Sequence, residues 1–296
     1  MNIYDCFMYF DEDLLLDLRL NSLNKYIKKF VITEATYTHN GNQKKLNFDI
    51  NNFKKFKDKI EYIVVETQPQ NILELADGES KDKRGEKLIL NGMARDYFQR
   101  ENLSRGLSEA QEEDLILISD LDEIPDIKQL DASKIKNNII IFEQKMFYYK
   151  FNLFYDDYTW FGTKAVKRKK FLSPQWLRNI KDKKYSFLRL DAMFSKTKYI
   201  DIKFIESGGW HFSNIKTPGE IENKLKSYLH HREFDVNPIS KFEINQIVKK
   251  KQAIYDLKVD KKMVKIGEGE KLQKYPIEKL PKFLQDNLEK YKDWID

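Results

Sequence analysis

The sequence predicts an α/β fold in which a mostly parallel central sheet is flanked by helices, with a helical region at the C-terminal end. Short apolar runs alternate with helical patterns through the first 125 residues, as expected for parallel strands joined by crossover helices. The run at 115–119 has no polar alternation, which is typical of a strand covered on both faces. With 296 residues, 41% of them hydrophobic, the chain can bury a sizeable core.

The first part of the chain alternates strands and helices. Strands are predicted at 2–10, 30–33, 60–65 and 115–119. Leucines at helical spacing, with acidic residues in the first turn, predict a helix over 11–26. A second helix over 86–105 is expected to end at Gly106 as its C-cap. The polar stretches 35–59 and 68–85 are predicted as connections, the first with a short helix and the second as a loop.

The pattern changes after residue 125. Strands are predicted at 138–151, 200–204 and 208–213, and helices at 173–180 and 217–230. The Lys-rich stretch 239–296 reads as mostly helical. Because no low-complexity linker and no repeat interrupts the chain, we predict one domain over 1–296. Its parts are 1–125, 126–238 and a helical extension at 239–296.

Charge and cysteine content limit the function classes. The 53 basic and 47 acidic residues give a net charge of +6, which suits an anionic substrate or an anionic membrane face. This mild excess is weak support for nucleic-acid binding, which we do not expect. The single cysteine, Cys6, permits no disulfide within the chain and is expected in the core. No 18-residue apolar stretch predicts a membrane span, and the first strand leaves no room for a signal peptide, so a cytoplasmic protein is expected.

Three acidic residues and a proline follow the strand at 115–119 in the run S-D-L-D-E-I-P. They are Asp120, Asp122 and Glu123, and Pro125 is expected to stop the strand. Ligands of open α/β sheets bind beyond the carboxyl ends of the strands. There Mg²⁺ or Mn²⁺ takes one or two carboxylates and leaves positions for water and phosphates. The run predicts a metal–phosphate site; the alternative is a solvated acidic turn.

A second candidate element is G-G-W-H-F-S at 208–213. Its glycines let the backbone approach another group closely. A neutral imidazole at His211 could complete a metal shell begun by Asp122 or contact a phosphate, and the alternative is a core histidine on a strand. For a general base that reaches an acceptor hydroxyl, Glu206 is the first candidate and Asp191 and Glu233 are rivals.

Basic and aromatic side chains supply further candidates. Arg95, Arg100 and Arg105 lie on one predicted helix, but a spacing of five cannot place all three on one face. A guanidinium fork matches phosphate oxygens, so Arg95, or Lys164 on a later segment, is a candidate for charge stabilisation at a diphosphate. The alternative is a surface or ion-paired group.

The dense aromatic run 147–161 is expected to be half core, with Tyr155 and Trp160 lining a sugar-binding cleft. The P-loop, G-x-G-x-x-G, G-x-S-x-G and C-x-x-C motifs do not occur, which weakens kinase, dehydrogenase, hydrolase and zinc-ribbon interpretations.

Several short motifs, in order, match one enzyme family. They are I-Y-D-C-F-M-Y-F at 3–10, F-V-I-T-E-A-T at 30–36, Q-R-E-N-L-S-R-G-L at 99–107, S-D-L-D-E-I-P at 119–125, W-F-G-T-K at 160–164, S-P-Q-W-L-R at 173–178, G-G-W-H-F-S at 208–213 and H-R-E-F at 231–234. The chain resembles glycosyltransferase family 17, the group of the β-1,4-mannosyl-glycoprotein β-1,4-N-acetylglucosaminyltransferases.

The resemblance implies a GT-A-like, Rossmann-related fold, a UDP-sugar donor such as UDP-GlcNAc, a divalent Mn²⁺ or Mg²⁺ ion and inversion at the anomeric carbon. It makes 1–125 the nucleotide-sugar-binding half and 126–238 the acceptor side. Asp120 and Asp122 match the D-x-D aspartates, of which the first contacts the ribose or metal-bound water and the second binds the metal. Glu34 stands where the nucleotide base is held, and Phe7 is a further residue on the nucleotide side.

The chain departs from the animal members of that family because it starts directly at the first strand, without a membrane anchor. A microbial or viral type of protein, acting on a cell-surface or capsule-type glycan precursor, is therefore expected. Peripheral membrane contact and the oligomeric state stay open. Two rival functions also stay open: a metal-dependent nucleotidyltransferase, and a non-catalytic glycan-binding protein on a transferase scaffold.

Overall fold

The computed structural model describes residues 1–130, 137–186, 188–227, 239–255 and 269–296. The strands are β1 (Ile3–Met8), β2 (Lys29–Ala35), β3 (Ile60–Val65), β4 (Leu115–Asp120), β5 (Glu123–Pro125), β6 (Ile139–Tyr148), β7 (Leu153–Lys167), β8 (Ile202–Ile205), β9 (Gly209–Ser213) and β10 (Gln273–Lys274). The α-helices are α1 (Asp13–Leu23), α2 (Lys81–Glu101), α3 (Pro174–Asn179), α4 (Leu190–Met193), α5 (Pro218–Ser227), α6 (Lys241–Lys249) and α7 (Lys282–Asp286). The 3-10 helices are Ile50–Lys59, Asn102–Leu107, Ile127–Gln129, Arg168–Lys170, Ile277–Lys279 and Leu288–Trp294.

The described strands form a single sheet in the order β3-β2-β1-β4-β7-β6-β9-β5, with β10 beside β7 and β8 beside β6. The four strands of the first half, β3, β2, β1 and β4, are mutually parallel. Antiparallel β7 then joins β4 to β6, and β6 runs parallel to both β8 and β9. The predicted α/β class is confirmed, with a sheet that is parallel in its first half and mixed beyond it.

Alternate residues of the central strands enter two separate cores. On one face Leu115 and Leu117 pack with the leucines of α1 and with Leu284 of α7. On the other face Ile116 and Ile118 pack with the 3-10 helix Asn102–Leu107 and with α3. Cys6 lies fully buried in this second core, as predicted. Both faces of β4 are therefore covered, and only its carboxyl end leads to the surface.

Helix α2 differs from its prediction at both ends. It begins at Lys81, where the Ser80 side chain caps it, so five residues of the predicted loop are helical. It ends at Glu101, and a 3-10 helix follows, so Gly106 is not its C-cap. A Cβ at Gly106 would lie 2.4 Å from Val31 Cγ1. The glycine is therefore needed because this segment packs against β2.

Two strands of the central sheet, besides the short β10, were not predicted. The aromatic-rich run after residue 152 forms the long strand β7. Pro125 was expected to prevent the strand at 115–119 from continuing. It is instead the last residue of the short strand β5, which pairs with β9 at the edge of the sheet. A proline is tolerated there because an edge strand has fewer ladder hydrogen bonds to lose.

The described part of 239–296 contains the helices α6 and α7, two 3-10 helices and the short strand β10, joined by irregular segments. Among the helices that the structure describes, none is both long and apolar enough to cross a membrane.

Candidate active site

The acidic run lies at the carboxyl end of β4, as the sequence predicted. Asp120 is the last residue of β4, a turn carries Asp122, and Glu123 opens β5. The side chain of Asp120 is 33% exposed and that of Asp122 18% exposed, whereas that of Glu123 is fully buried. The two aspartates are thus accessible to a ligand, and Glu123 has a different role.

Glu123 is a buried anchor for the basic side chains around it. Its carboxylate accepts hydrogen bonds from both terminal nitrogens of Arg178, at 2.8 and 2.7 Å, and from Trp160 Nε1 at 2.6 Å. The backbone N–H of Asp120 donates to it at 2.9 Å. With four hydrogen bonds to its oxygens, this carboxylate holds Arg178 and Trp160 in place.

Arg178 links Glu123 to the first aspartate of the motif. Its Nη2 donates to Asp120 Oδ2 at 2.8 Å, and its Nη1 also donates to the carbonyl of Gly162 at 3.1 Å. The residue lies near the end of α3, a helix that begins with a Ser173 cap and a proline in its first turn. Arg178 was not among the site residues predicted from the sequence, although the run S-P-Q-W-L-R predicts such a short capped helix.

Lys164 positions α3 rather than presenting its charge to the acidic residues. Its ammonium donates to the carbonyl of Arg178 at 2.8 Å and to that of Ile180. Burial, assisted by the charge of Arg178, lowers the pKa of Lys164 to about 8. The residue predicted as a cationic ligand is thus placed against backbone carbonyls beside the site.

A second guanidinium reaches the same aspartate from α2. Arg100 is 6% exposed and donates to Asp96 at 2.7 and 3.1 Å, to Gln175 Oε1 at 2.7 Å and to Asp120 Oδ1 at 3.3 Å. Burial alone would raise the pKa of Asp120, but Arg178 and Arg100 outweigh it and lower that pKa. Asp120 is therefore a carboxylate held between two cations.

His211 and Asp122 are brought together as predicted. His211 Nε2 lies 3.4 Å from Asp122 Oδ1, because β9 pairs with β5 so that His211 is opposite Glu123. The imidazole also packs against the Trp160 ring, with 4.6 Å between centroids. Burial opposes ionisation of Asp122, yet the adjacent His211 holds the pKa of that carboxyl well below its ordinary value. His211 Nδ1 is buried and has no hydrogen-bond partner.

The other nucleotide-side candidates lie in separate surroundings. Phe7 is fully buried in the core under the guanidinium of Arg19. Glu34 is also fully buried; its carboxylate accepts from Tyr62 Oη at 2.8 Å and from the ammonium of Lys44. The N–H groups of residues 47 and 48 donate to it as well. Its contacts hold the connection 36–48 against β2 and β3.

Of the three arginines on one predicted helix, only Arg100 contacts the acidic residues. Arg95 donates to Gln68 Oε1 at 2.8 Å and to the carbonyl of His39 at 3.2 Å. Arg105 donates to the carbonyl of Val64. Arg105 lies beyond α2, in the 3-10 helix Asn102–Leu107, so the three arginines do not share one α-helix. Arg100, and not Arg95, contacts Asp120.

The candidates for a general base are dispersed. Asp191 is an exposed residue paired with Arg189 at 2.8 Å and Lys198 at 2.7 Å. Glu206 is exposed in the turn before β9. The pKa of Glu143 is raised, first by the partial burial of Glu143 and second by the nearby negative charge of Glu206. Glu233 lies outside the described residues.

Of the two aromatic residues expected in a cleft, Trp160 contacts Glu123 and His211, which lie next to the aspartates. The prediction for Tyr155 was wrong, because its side chain is fully buried in a third core with Tyr148.

The residues at the end of β4 supply only part of the coordination shell of a divalent cation. Within the described ranges, no group of three or more His, Cys, Asp or Glu side chains is arranged to hold a metal. Mg²⁺ and Mn²⁺ bound with a nucleotide need only one or two carboxylates, because phosphates and water complete the shell. Asp122 has the required negative charge, and His211 offers an imidazole beside it. The donor set suits a cation that arrives with a diphosphate.

Comparison with known proteins assigns the family. No curated protein gives a significant match to this chain. Among solved structures, the chain is similar to the inositol-1-phosphate CTP transferase from T. maritima, with 11% identity and a TM-score of 0.31 over 72% of this chain and 90% of that one. The model of glycosyltransferase family 17 matches residues 1–295. The chain therefore belongs to glycosyltransferase family 17.

Proposed function

We propose that the protein is a metal-dependent, inverting glycosyltransferase of the GT-A type that transfers a sugar, GlcNAc, from UDP-GlcNAc to a hydroxyl of a glycan. Its family makes glycosyl transfer the class of reaction. The observation that carries the finer proposal is the pair Asp120 and Asp122 at the end of a central strand, beside the buried guanidinium of Arg100 and the partly buried guanidinium of Arg178. A glycan precursor in the cytoplasm is the proposed acceptor.

Arg100 and Arg178 are the cationic groups that we assign to the leaving nucleoside diphosphate. Both are held by buried partners, Arg100 by Asp96 and Arg178 by Glu123, so their positions are fixed before a ligand binds. Preorganised charges of this kind stabilise negative charge as it develops, without reorganising during the reaction. This assignment replaces Arg95 and Lys164, whose charged ends lie against Gln68 and against backbone carbonyls.

Asp122 and His211 would hold the Mn²⁺ or Mg²⁺ ion, and Asp120 would contact the ribose or water on the ion. When bound, the ion supplies Lewis-acid stabilisation of the departing diphosphate. In the free protein, the carboxylate of Asp122 lies beside the imidazole of His211, and that of Asp120 is paired with the two arginines. The site therefore keeps both carboxylates ionised and ready for a cation.

Glu206 is the proposed general base that removes the proton from the acceptor hydroxyl. It is exposed, and it precedes the glycines that lead into the strand of His211. One carboxylate acting by direct displacement inverts the configuration at the sugar, because the acceptor attacks from the face opposite the leaving group. Trp160, which packs on His211, is the side chain best placed to contact a sugar ring there.

Release of UDP from UDP-GlcNAc, with and without Mn²⁺ and with a panel of glycan acceptors, tests the proposal. Metal-dependent UDP release that rises with one acceptor is expected. Thermal shift with UDP and Mn²⁺ gives an independent binding readout, because a ligand that binds only the folded state raises the melting temperature. Release of pyrophosphate from a nucleoside triphosphate would instead indicate a nucleotidyltransferase. Glycan binding that needs no metal and gives no turnover would indicate a non-catalytic protein.

A further inference from the structure

Helix α1 carries a charged side chain inside an apolar stretch. Arg19 lies between Leu18 and Leu20, and all three side chains are fully buried. An ionised group is costly to remove from water unless its charge and all its donors are matched. The sequence L-L-L-D-L-R-L already shows the anomaly, since an arginine is rarely fully buried without partners.

Part of the match is a buried ion pair with the first strand. Arg19 Nε donates to Asp5 Oδ2 at 2.8 Å, and Nη2 donates to Asp5 Oδ1 at 2.6 Å. Nη2 also donates to Ser119 Oγ at 2.5 Å. This two-point contact of a guanidinium with a carboxylate fixes the plane of the fork. The rest of the fork is thereby directed beyond the end of β4.

The remaining nitrogen holds the backbone of the acidic turn. Arg19 Nη1 lies within hydrogen-bond distance of three carbonyl oxygens, those of Asp120 at 3.1 Å, Leu121 at 3.0 Å and Glu123 at 2.8 Å. Buried carbonyls require donors, and a turn brings several of them close together. One side chain from α1 therefore contacts the main chain on both sides of Asp122.

The side chains of the same turn make their contacts with other elements. Asp120 contacts Arg178 and Arg100, and Asp122 contacts His211. The turn is thus fixed through its carbonyls by α1, while its two partly exposed carboxylates make their own contacts with side chains of other elements. We propose that Arg19 is a positioning residue that sets the placement of both aspartates for the metal-bound nucleotide. This rests on the proposed function.

Lysine cannot reproduce this contact. A guanidinium presents five N–H donors in a fixed plane, whereas an ammonium is a single point with three donors. Arg19→Lys therefore keeps the charge opposite Asp5 but loses part of the hold on the carbonyls. The expected result is a turn that still forms but no longer fixes Asp120 and Asp122.

The test is calorimetric titration of UDP in saturating Mn²⁺ into the wild-type protein and into Arg19→Lys. Removing support behind a metal ligand typically weakens binding by about 10- to 100-fold, and a loss in this range is expected for Arg19→Lys. UDP affinity is measured without turnover, so the readout does not depend on the acceptor or the base. Once an acceptor is known, the kcat of Arg19→Lys should fall by a larger factor than its KM for the acceptor rises.

A matched control separates positioning from stability. Leu16→Ala removes a fully buried side chain from the same helix and lowers the melting temperature, but an apolar side chain donates no hydrogen bond to the carbonyls of the acidic turn. It should bind UDP with wild-type affinity below its melting temperature. If Arg19→Lys does not fold, Ser119→Ala takes its place, because it removes one hydrogen-bond acceptor of Arg19. This variant is expected to weaken UDP binding by about threefold.

The outcomes are distinguishable. Wild-type protein that does not bind UDP with Mn²⁺ contradicts the proposed function itself. Wild-type binding that is unchanged in Arg19→Lys, or in Ser119→Ala where the first variant is unfolded, overturns the positioning role alone. Equal losses in Leu16→Ala and Arg19→Lys also overturn it, since stability would then explain both.

Discussion

His211 Nε2 lies 3.4 Å from Asp122 Oδ1, and the other ring nitrogen of His211 is buried without a hydrogen-bond partner. The two residues are 89 positions apart in sequence (211 − 122) and meet because β9 pairs with β5. The imidazole beside it holds the pKa of the partly buried Asp122 carboxyl below its ordinary value. A divalent cation bound by Asp122 would stabilise the ionised carboxylate in the same way.

Asp122→Asn should abolish metal-dependent turnover while leaving the fold intact. The amide keeps the shape of the side chain but lacks the charge that attracts a divalent cation. Removing a Lewis acid is expected to cost about 4 kcal/mol of transition-state stabilisation, which lowers kcat by about 1000-fold. UDP release at varied Mn²⁺ measures the effect, and the melting temperature without metal reports the fold. Full metal-dependent activity in this variant would exclude Asp122 as the metal ligand.

Arg178→Met should lower both stability and activity. It leaves the buried Glu123 carboxylate with two of its four hydrogen bonds, from Trp160 and the Asp120 N–H. Breaking a buried ion pair from one side typically costs about 3–5 kcal/mol. Denaturant unfolding of the variant measures this loss.

Glu123→Gln supplies the matching partner variant. In the double variant Arg178→Met with Glu123→Gln, no buried charge is left unpaired, so part of the lost stability should return. Activity should not return with it, because the cation assigned to the diphosphate is still missing. Recovery of both stability and UDP release would show that Arg178 serves only to neutralise Glu123.

The sequence predicts the part of the site that is formed by residues close together in the chain. A strand with no polar alternation that ends in Asp120 and Asp122 marks a sheet edge by itself, and the structure places both residues there. His211 could be linked to Asp122 only as a hypothesis, because its approach depends on the pairing of two distant strands. Local pattern thus identifies the acidic end, and tertiary pairing identifies its partners.

The residues that were missed are those whose role depends on packing. Glu123 looks equivalent to its acidic neighbours in sequence, yet it opens β5 and is enclosed by Arg178 and Trp160. The end of α3, which carries Arg178, is held by Lys164 on β7. No spacing rule relates these segments, since they approach each other through an antiparallel strand that the sequence pattern did not reveal.

Lys164 should make stability rise with pH in the alkaline range. Its pKa is about 8 in the folded protein, below the ordinary value of about 10.4 in an unfolded chain. Between these values the unfolded state binds more protons, so the free energy of unfolding increases as pH rises, by up to about 3 kcal/mol. Lys164→Met lacks this proton. The unfolding free energy of the wild type minus that of the variant should therefore increase from pH 8 to pH 10. A value of this difference that stays constant over the same range would contradict the lowered pKa.

Glu206→Gln tests the proposed base against the rival carboxylate Asp191. The amide cannot accept a proton, so kcat should fall by about 100-fold or more, as expected when general base catalysis is lost. UDP affinity in the presence of Mn²⁺ should stay at the wild-type value, because Glu206 is an exposed side chain that is proposed to act on the acceptor and not on the nucleotide. Asp191→Asn is the matched control: its carboxylate is exposed and paired with Arg189 and Lys198, so activity should be unchanged. Comparison of kcat for the two variants decides between them. Loss of activity in Asp191→Asn, with Glu206→Gln still active, would transfer the role of base to Asp191.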